Sequence, residues 1–282
     1  MKLASFTHSG KESYGVYTDD GIIDLKPQFG SEFPDLKSAL GEKALERIKE
    51  YAASAPISYS HAEVTLLPVI PNPSKVLCIG HNYEAHRIET NRAKTDYPSV
   101  FMRYADSQTA HLQPIIKPIE SDMLDYEGEI AVVIGKQGRR VKESEAWDYV
   151  AGYSCYNDGS VRDWQWHTQQ FGPGKNFYQT GSFGPYLVTK DEIANGEILT
   201  VKTILNGEIM QQGDTSMMLF PIPKLIEYCS TFITLNPGDV IVTGTPAGVG
   251  AKRNPPVFMK EGDQVEIHID KIGVLRNTIS VG

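Results

Sequence analysis

The sequence predicts a mainly β fold with some α: a mixed or antiparallel β domain over residues 71–282, preceded by a small α+β domain over residues 1–70. Three observations predict it. From Lys75 onward, short β-rich segments alternate with Gly and Pro turns. The few helical stretches among them do not alternate regularly with strands, which argues against a βαβ arrangement. Finally, "LLPVIPNPSK" crowds three prolines into one short span, a natural domain boundary.

The chain opens with "MKLASFTHSGKESYGVYTDDGIIDL", short alternating segments broken by Gly and Asp, which read as an antiparallel β unit. A helix is expected from about Asp35 to Ala53, where apolar residues recur near helical spacing with charges between them. Strands are then expected at "KVLCIG", "PIIKP", "EIAVVIG", "DYVAGYSCYND", "FGPYLVT", "LTVKTILNG", "DVIVTG" and "DQVEIHID". Further helical stretches are expected around Glu84–Lys94, Ser144–Tyr149 and Ile222–Phe232.

With 40% hydrophobic and 22% charged residues, the chain has enough apolar content for a sizeable core. A net charge of −8 disfavours a nucleic-acid partner, because phosphate binding relies on clustered Lys and Arg. Cys78, Cys155 and Cys229 are widely spaced and read as buried thiols in a reducing compartment. Neither a signal-like apolar run nor a membrane-length stretch is evident, so a cytoplasmic protein without a membrane partner is expected.

Chemistry first shows in "DYEGEIAVVIG". On a strand, Glu127 and Glu129 project from one face, their Cα atoms about 7 Å apart. The apolar run that follows fills both faces, so two anions stand beside a core. Without a cation, desolvation and mutual repulsion destabilise such a pair. Asp158 in "GYSCYNDGSVRDWQ" offers a third carboxylate, placed by a turn before Gly159. A set of oxygen ligands suits Mg²⁺ or Mn²⁺ better than Zn²⁺. Asp125 shares the face by parity and is either a partner of this site or the strand's solvated entrance.

His86 and Glu89 in "CIGHNYEAHRIET" stand three residues apart, so on a helix they share a face and can pair. Such pairing orients an imidazole and raises its basicity. Thr245, in the Gly-rich "VTGTPAGVG" after a strand, can offer its hydroxyl or amide to a substrate carboxylate. That stretch lacks the G-K-[ST] ending of a phosphate loop.

Taken in order, "DYEGEIAVVIG", "GYSCYNDGSVRDWQ", "GKNFYQTGSFGPYLV", "LNGEIMQQGDT" and "LNPGDVIVTGTPAGVG" resemble the fumarylacetoacetate hydrolase superfamily from about Lys75 to the C-terminus. The resemblance implies that family's mixed β-sandwich roll, with Glu127, Glu129 and Asp158 as ligands of Mg²⁺ or Mn²⁺. Its N-Y-x-x-H-x-x-E pattern is matched by Asn82, Tyr83, His86 and Glu89, which implies a His–Glu dyad that activates water. It also implies a catalytic or substrate-polarising Lys175, a substrate contact at Gln165 and a homodimer. Departures from the family pattern are Tyr178 for a common Asp, Gly181 and Ser182 for Cys-Pro, and Gly159 for Val. Arg103, Tyr104, Gln108 and His111 differ from a Lys-containing, Gly-rich segment, and Arg103 and Tyr104 are taken as substrate-binding.

The activity these features predict is metal-dependent hydrolysis of a C–C bond in an acylpyruvate or similar β-diketo acid by His86-activated water. The same electron sink serves oxaloacetate decarboxylation or isomerisation of a 2-hydroxyhepta-2,4-diene-1,7-dioate-type acid. A metal-binding protein without turnover is a further alternative.

Overall fold

The computed structural model describes the backbone of all 282 residues and the side chains of all but residues 42 and 43. Its centre is the strand Gly128–Ile134, in which every residue is buried. A run of Ile, Val and Ala without a polar residue after Glu129 suits a strand covered on both faces. It pairs antiparallel with Val150–Asn157 on one side and with Val240–Val242 on the other. From Val240–Val242 the sheet continues through the parallel strand Val76–Gly80 to an edge at Ser99–Arg103.

In the opposite direction the sheet runs through Gly181–Thr189 to Lys2–His8, Lys11–Tyr17 and Ile22–Asp24. The register Lys2↔Val188 joins the N-terminal strands directly to this sheet. Leu3, Tyr14 and Val16 share a core with Val76, Cys78, Ala131 and Val133. The proline-rich stretch near residue 70 connects Thr65–Leu66 to Val76–Gly80, two strands of that one sheet.

A second sheet of five strands, Glu208–Asp214, Thr200–Leu205, Gln264–Ile269, Gly273–Val281 and Ile115–Lys117, covers the other face. There Ile130, Val132 and Ile134 pack with Val201, Val265, Ile267 and Leu275. Each fully buried side chain of this size contributes about 1.5–3 kcal/mol. The second sheet passes close over Gly128, where a Cβ would stand 2.2 Å from Thr203 Oγ1. The second sheet thus presses on the residue between the two glutamates, which face the other way.

The expected helix over Asp35–Ala53 is a short turn at Lys37–Ala39 and a helix at Glu42–Ala52, separated where Gly41 is extended. The helix expected over Glu84–Lys94 ends at Glu89, and Glu143–Tyr149 is a 3₁₀ helix. The helix Ile222–Phe232 has the expected bounds. All three cysteines are buried and free. Among the described residues, no helix is long and apolar enough to cross a membrane.

Candidate active site

The register Gly128↔Asn157 sets Asp158 beside Glu127, whose carbonyl accepts the Asp158 N–H at 2.9 Å. Glu127, Glu129 and Asp158 are all buried, and one carboxylate oxygen from each lies within 4.8 Å of the others. Gly159 has a local reason to depart from the family's Val. A Cβ there would lie 1.9 Å from the Thr180 carbonyl oxygen.

Three buried cations, Lys175, Arg162 and Arg103, surround this cluster. Lys175 Nζ donates at 2.7 Å to Glu127 Oε2, Asp158 Oδ2 and Ser160 Oγ. Arg162 Nη2 stands 2.8 Å from Glu127 Oε1, an ion pair without hydrogen-bond alignment. Its Nε donates to Asp125 Oδ2 at 2.8 Å and its Nη1 to Gln165 Oε1 at 2.9 Å. Asp125 also accepts the N–H groups of Gly250 and Ala251. It is therefore a fully buried support for Arg162 and not a solvated strand entrance.

Burial alone would raise the Glu127 pKa, but Lys175 and Arg162 outweigh it and hold the carboxyl well below its usual range. Glu129 is pushed the other way, by burial and then by the charges of Asp158 and Glu127, and accepts only the Gly244 N–H, at 2.5 Å. Among the described residues, one carboxylate of the cluster thus has no cationic partner of its own. A divalent cation fits both this charge and the all-oxygen donor set.

The helix Glu84–Glu89 brings the dyad to the same place. His86 Nδ1 is 2.7 Å from Glu89 Oε1, which leaves Nε2 for the cavity that the ring lines. Asn82 anchors the approach to this helix. Its amide donates to the carbonyls of Thr243 and Phe220, and its Oδ1 accepts the Phe220 N–H. His81 stacks on His86 with ring centroids 5.5 Å apart. Burial, and then His86, lower the His81 pKa to about 4, so this ring is neutral near pH 7.

A cavity of about 350 Å³ is lined by His86, Glu127, Glu129, Gln165, Lys175 and Thr245, together with Arg162 and His81. Asp158 and Glu89 lie one hydrogen bond behind this lining. Thr245 donates its hydroxyl proton to the Gly128 carbonyl and accepts from Gln211, so the side chain serves the walls.

Two of the expected substrate contacts are corrected. Arg103 lies behind the cluster, donating through Nη1 to Asp158 Oδ1 at 2.5 Å and to the Gly159 carbonyl at 2.9 Å. Tyr104 is 70% exposed and is not part of the cavity wall, its backbone N–H held by Asn176. At the end of the edge strand Ser99–Arg103, Arg103 turns into the protein and the next residue turns out, and that direction, not proximity in sequence, separates them.

His111 accepts the Arg276 N–H, and Gln108 donates to Ser107; neither lines the cavity. Arg162 and His81 line the cavity without belonging to the expected set of site residues. For Arg162 a signal existed: it stands three residues before Gln165 on the short helix Arg162–Gln165, where the two side chains share a face.

Residues 75–280 match the family described as Fumarylacetoacetate (FAA) hydrolase C-terminal. The chain is 40% identical over 287 residues to the oxaloacetate tautomerase fahd2, mitochondrial, of Xenopus laevis, covering 99% of this chain and 90% of that protein. Among solved structures, fumarylacetoacetate hydrolase from Exiguobacterium antarcticum superposes with a TM-score of 0.84 at 34% identity, over 100% of both chains. Maleylpyruvate hydrolase from Sphingobium sp. SYK-6, in complex with manganese(II) ion and pyruvate, superposes with a TM-score of 0.83 at 27% identity, again over 100% of both. The fold, the carboxylate cluster and these matches agree: the chain belongs to the fumarylacetoacetate hydrolase superfamily.

Proposed function

We propose that the protein is a divalent-metal-dependent enzyme that interconverts the enol and keto forms of oxaloacetate or a closely similar 2-oxo diacid. The observation that carries this reading is the His86–Glu89 pair, 2.7 Å apart, in one cavity with Lys175 and the carboxylate cluster. A proton-transfer group thereby shares a cavity with a charge-stabilising group. The similarity to an oxaloacetate tautomerase over nearly the whole chain supports it further.

Mg²⁺ or Mn²⁺ held by Glu127, Glu129 and Asp158 would supply Lewis acidity at a 2-oxo acid's carbonyl and carboxylate oxygens. The protein's own groups do the rest. Arg162 and the amide of Gln165 orient the substrate carboxylate, and Lys175 offers positive charge to the oxygen where the enolate charge gathers. In the enol-to-keto direction His86 delivers a proton to C3 through Nε2 while the enol hydroxyl releases its proton to water, which reprotonates the imidazole, and Glu89 accepts from Nδ1 and fixes the tautomer. Such positioned acid–base groups contribute on the order of 10²–10⁴ in rate.

A second reading, C–C bond hydrolysis, is favoured by the same dyad, which can act on water instead of C3. The likeness to a maleylpyruvate hydrolase supports it to a lesser degree. One experiment separates them: metal-replete protein is given enol-oxaloacetate and, separately, acylpyruvates, while enol absorbance and pyruvate release are followed. The proposal expects faster enol decay in oxaloacetate without pyruvate. Pyruvate release from an acylpyruvate with no effect on enol decay would replace it by the hydrolase reading.

A further inference from the structure

We propose that Arg103 is a positioning residue that makes Asp158 a one-oxygen ligand and thereby sets the preference of the site for a small octahedral cation over Ca²⁺. The inference rests on the reading of Glu127, Glu129 and Asp158 as a metal site. It begins with which carboxylate oxygens are already engaged from outside the cluster.

Asp158 Oδ1 is taken by Arg103 Nη1 at 2.5 Å, Glu127 Oε1 faces Arg162 Nη2 at 2.8 Å, and Glu129 Oε2 accepts the Gly244 N–H at 2.5 Å. That leaves Asp158 Oδ2, Glu127 Oε2 and Glu129 Oε1 without one of these outer partners. Two of these, Asp158 Oδ2 and Glu127 Oε2, meet Lys175 Nζ at 2.7 Å. An arrangement that offers three single oxygens matches six-coordinate Mg²⁺ or Mn²⁺, which keeps positions for water and substrate. Ca²⁺ takes six to eight oxygens and favours carboxylates that can turn to give both.

Arg103 is the most constrained member of this outer ring. Beyond Asp158, its guanidinium donates to the Gly159 carbonyl at 2.9 Å, Thr180 Oγ1 at 3.0 Å, Ser107 Oγ at 3.2 Å and the Ser107 carbonyl at 3.3 Å. Its place is cut out by a glycine. A Cβ at Gly181 would stand 2.7 Å from Nη2 and 2.8 Å from Cζ. The departures from the family pattern at Arg103, Gly159 and Gly181 are therefore one feature: a planar fork behind the ligand, with a backbone carbonyl turned to it and a side chain removed to admit it.

The test titrates Mn²⁺ and Ca²⁺ separately into chelator-stripped full-length protein by calorimetry, for the unsubstituted chain, Arg103→Met, Arg103→Lys and Gly181→Ala. Loss of an outer-shell partner typically costs about 10–100-fold in metal affinity. In Arg103→Met, Mn²⁺ affinity is expected to fall by about tenfold or more and Ca²⁺ affinity by clearly less, narrowing the Mn²⁺ preference. Gly181→Ala, which keeps the arginine but crowds its seat, shifts the ratio in the same direction, and Arg103→Lys falls between it and the unsubstituted chain. If Arg103→Met does not fold, Gly181→Ala decides. Equal losses for both ions, or an unchanged ratio, would overturn the inference by leaving Arg103 a purely structural role. Absence of Mn²⁺ binding by the unsubstituted chain would overturn the metal-site reading as well.

Discussion

The backbone N–H of Gly248 donates to the Glu89 carboxylate, at 3.0 Å to Oε2 and 3.2 Å to Oε1. This bond ties the Gly-rich loop after Val240–Val242 to the helix that carries His86. The loop fixes Glu89, Glu89 fixes the imidazole, and the imidazole lines the cavity.

Gly248 has φ +108°, and a Cβ would come 2.2 Å from the Met210 carbonyl oxygen. Gly248→Ala therefore strains the loop, by roughly 1–3 kcal/mol, and loosens its grip on Glu89. Glu89→Gln leaves the loop bond possible but removes the charge that supports His86. We expect Glu89→Gln to lower kcat about 10²-fold with little change in melting temperature, and Gly248→Ala to lower both. Steady-state kinetics paired with thermal unfolding check this, and an unchanged kcat in Glu89→Gln would remove the dyad from the mechanism.

Lys175 is nearly fully buried among groups it neutralises. In Lys175→Met the Glu127 and Asp158 charges lose their shared partner, and removing one member of a buried ion pair costs about 3–5 kcal/mol. Metal-free Lys175→Met should unfold at a clearly lower temperature, with part of the loss recovered when Mn²⁺ is added, because ligand binding to the native state stabilises it. Equal melting temperatures for variant and parent would show that the lysine is not needed to offset the carboxylates.

Burial, and then the Arg276 charge, lower the His111 pKa to about 4, below its ordinary 6.5. Between these values the unfolded chain binds more protons than the folded one, so this histidine's contribution to stability rises with pH and is lost as pH falls from 6.5 towards 4. The span corresponds to roughly 3–4 kcal/mol as an upper bound. Denaturant unfolding at pH 7 and pH 4.5 should show a smaller difference for His111→Gln than for the parent. An identical difference in the two proteins would assign the pH dependence elsewhere.

What the sequence revealed and what it hid follow from different physics. Strands such as Gly128–Ile134 and Val150–Asn157 were legible because apolar runs bounded by turn residues are a local signal. The strand begins at Gly128, so Glu127 stands one residue before it, yet both glutamates line the cavity and lie beside Asp158. Alternation cannot say which side of an edge strand holds a cavity. Arg103 and Tyr104 depart from the family's Lys-containing segment, which marks a difference without its direction: Arg103 supports Asp158 and Tyr104 points outward. The helix ends at Glu89 rather than Lys94 because Asn91, just past the C-cap Thr90, is left-handed at φ +55°, a conformation that asparagine tolerates better than most residues and that stops a helix. Hydrolase and tautomerase were not separable from the motifs, since one dyad beside one electron sink serves both.

The most direct measurement of the central claim is the rate of enol-to-keto conversion of oxaloacetate by chelator-stripped protein before and after Mn²⁺ is restored, with His86→Ala in parallel. Little acceleration by the stripped protein, full recovery with Mn²⁺, and a loss of about 10²-fold or more in His86→Ala even when Mn²⁺ is present are expected. Undiminished acceleration by the stripped protein, or parent-like rates in His86→Ala, would contradict the claim.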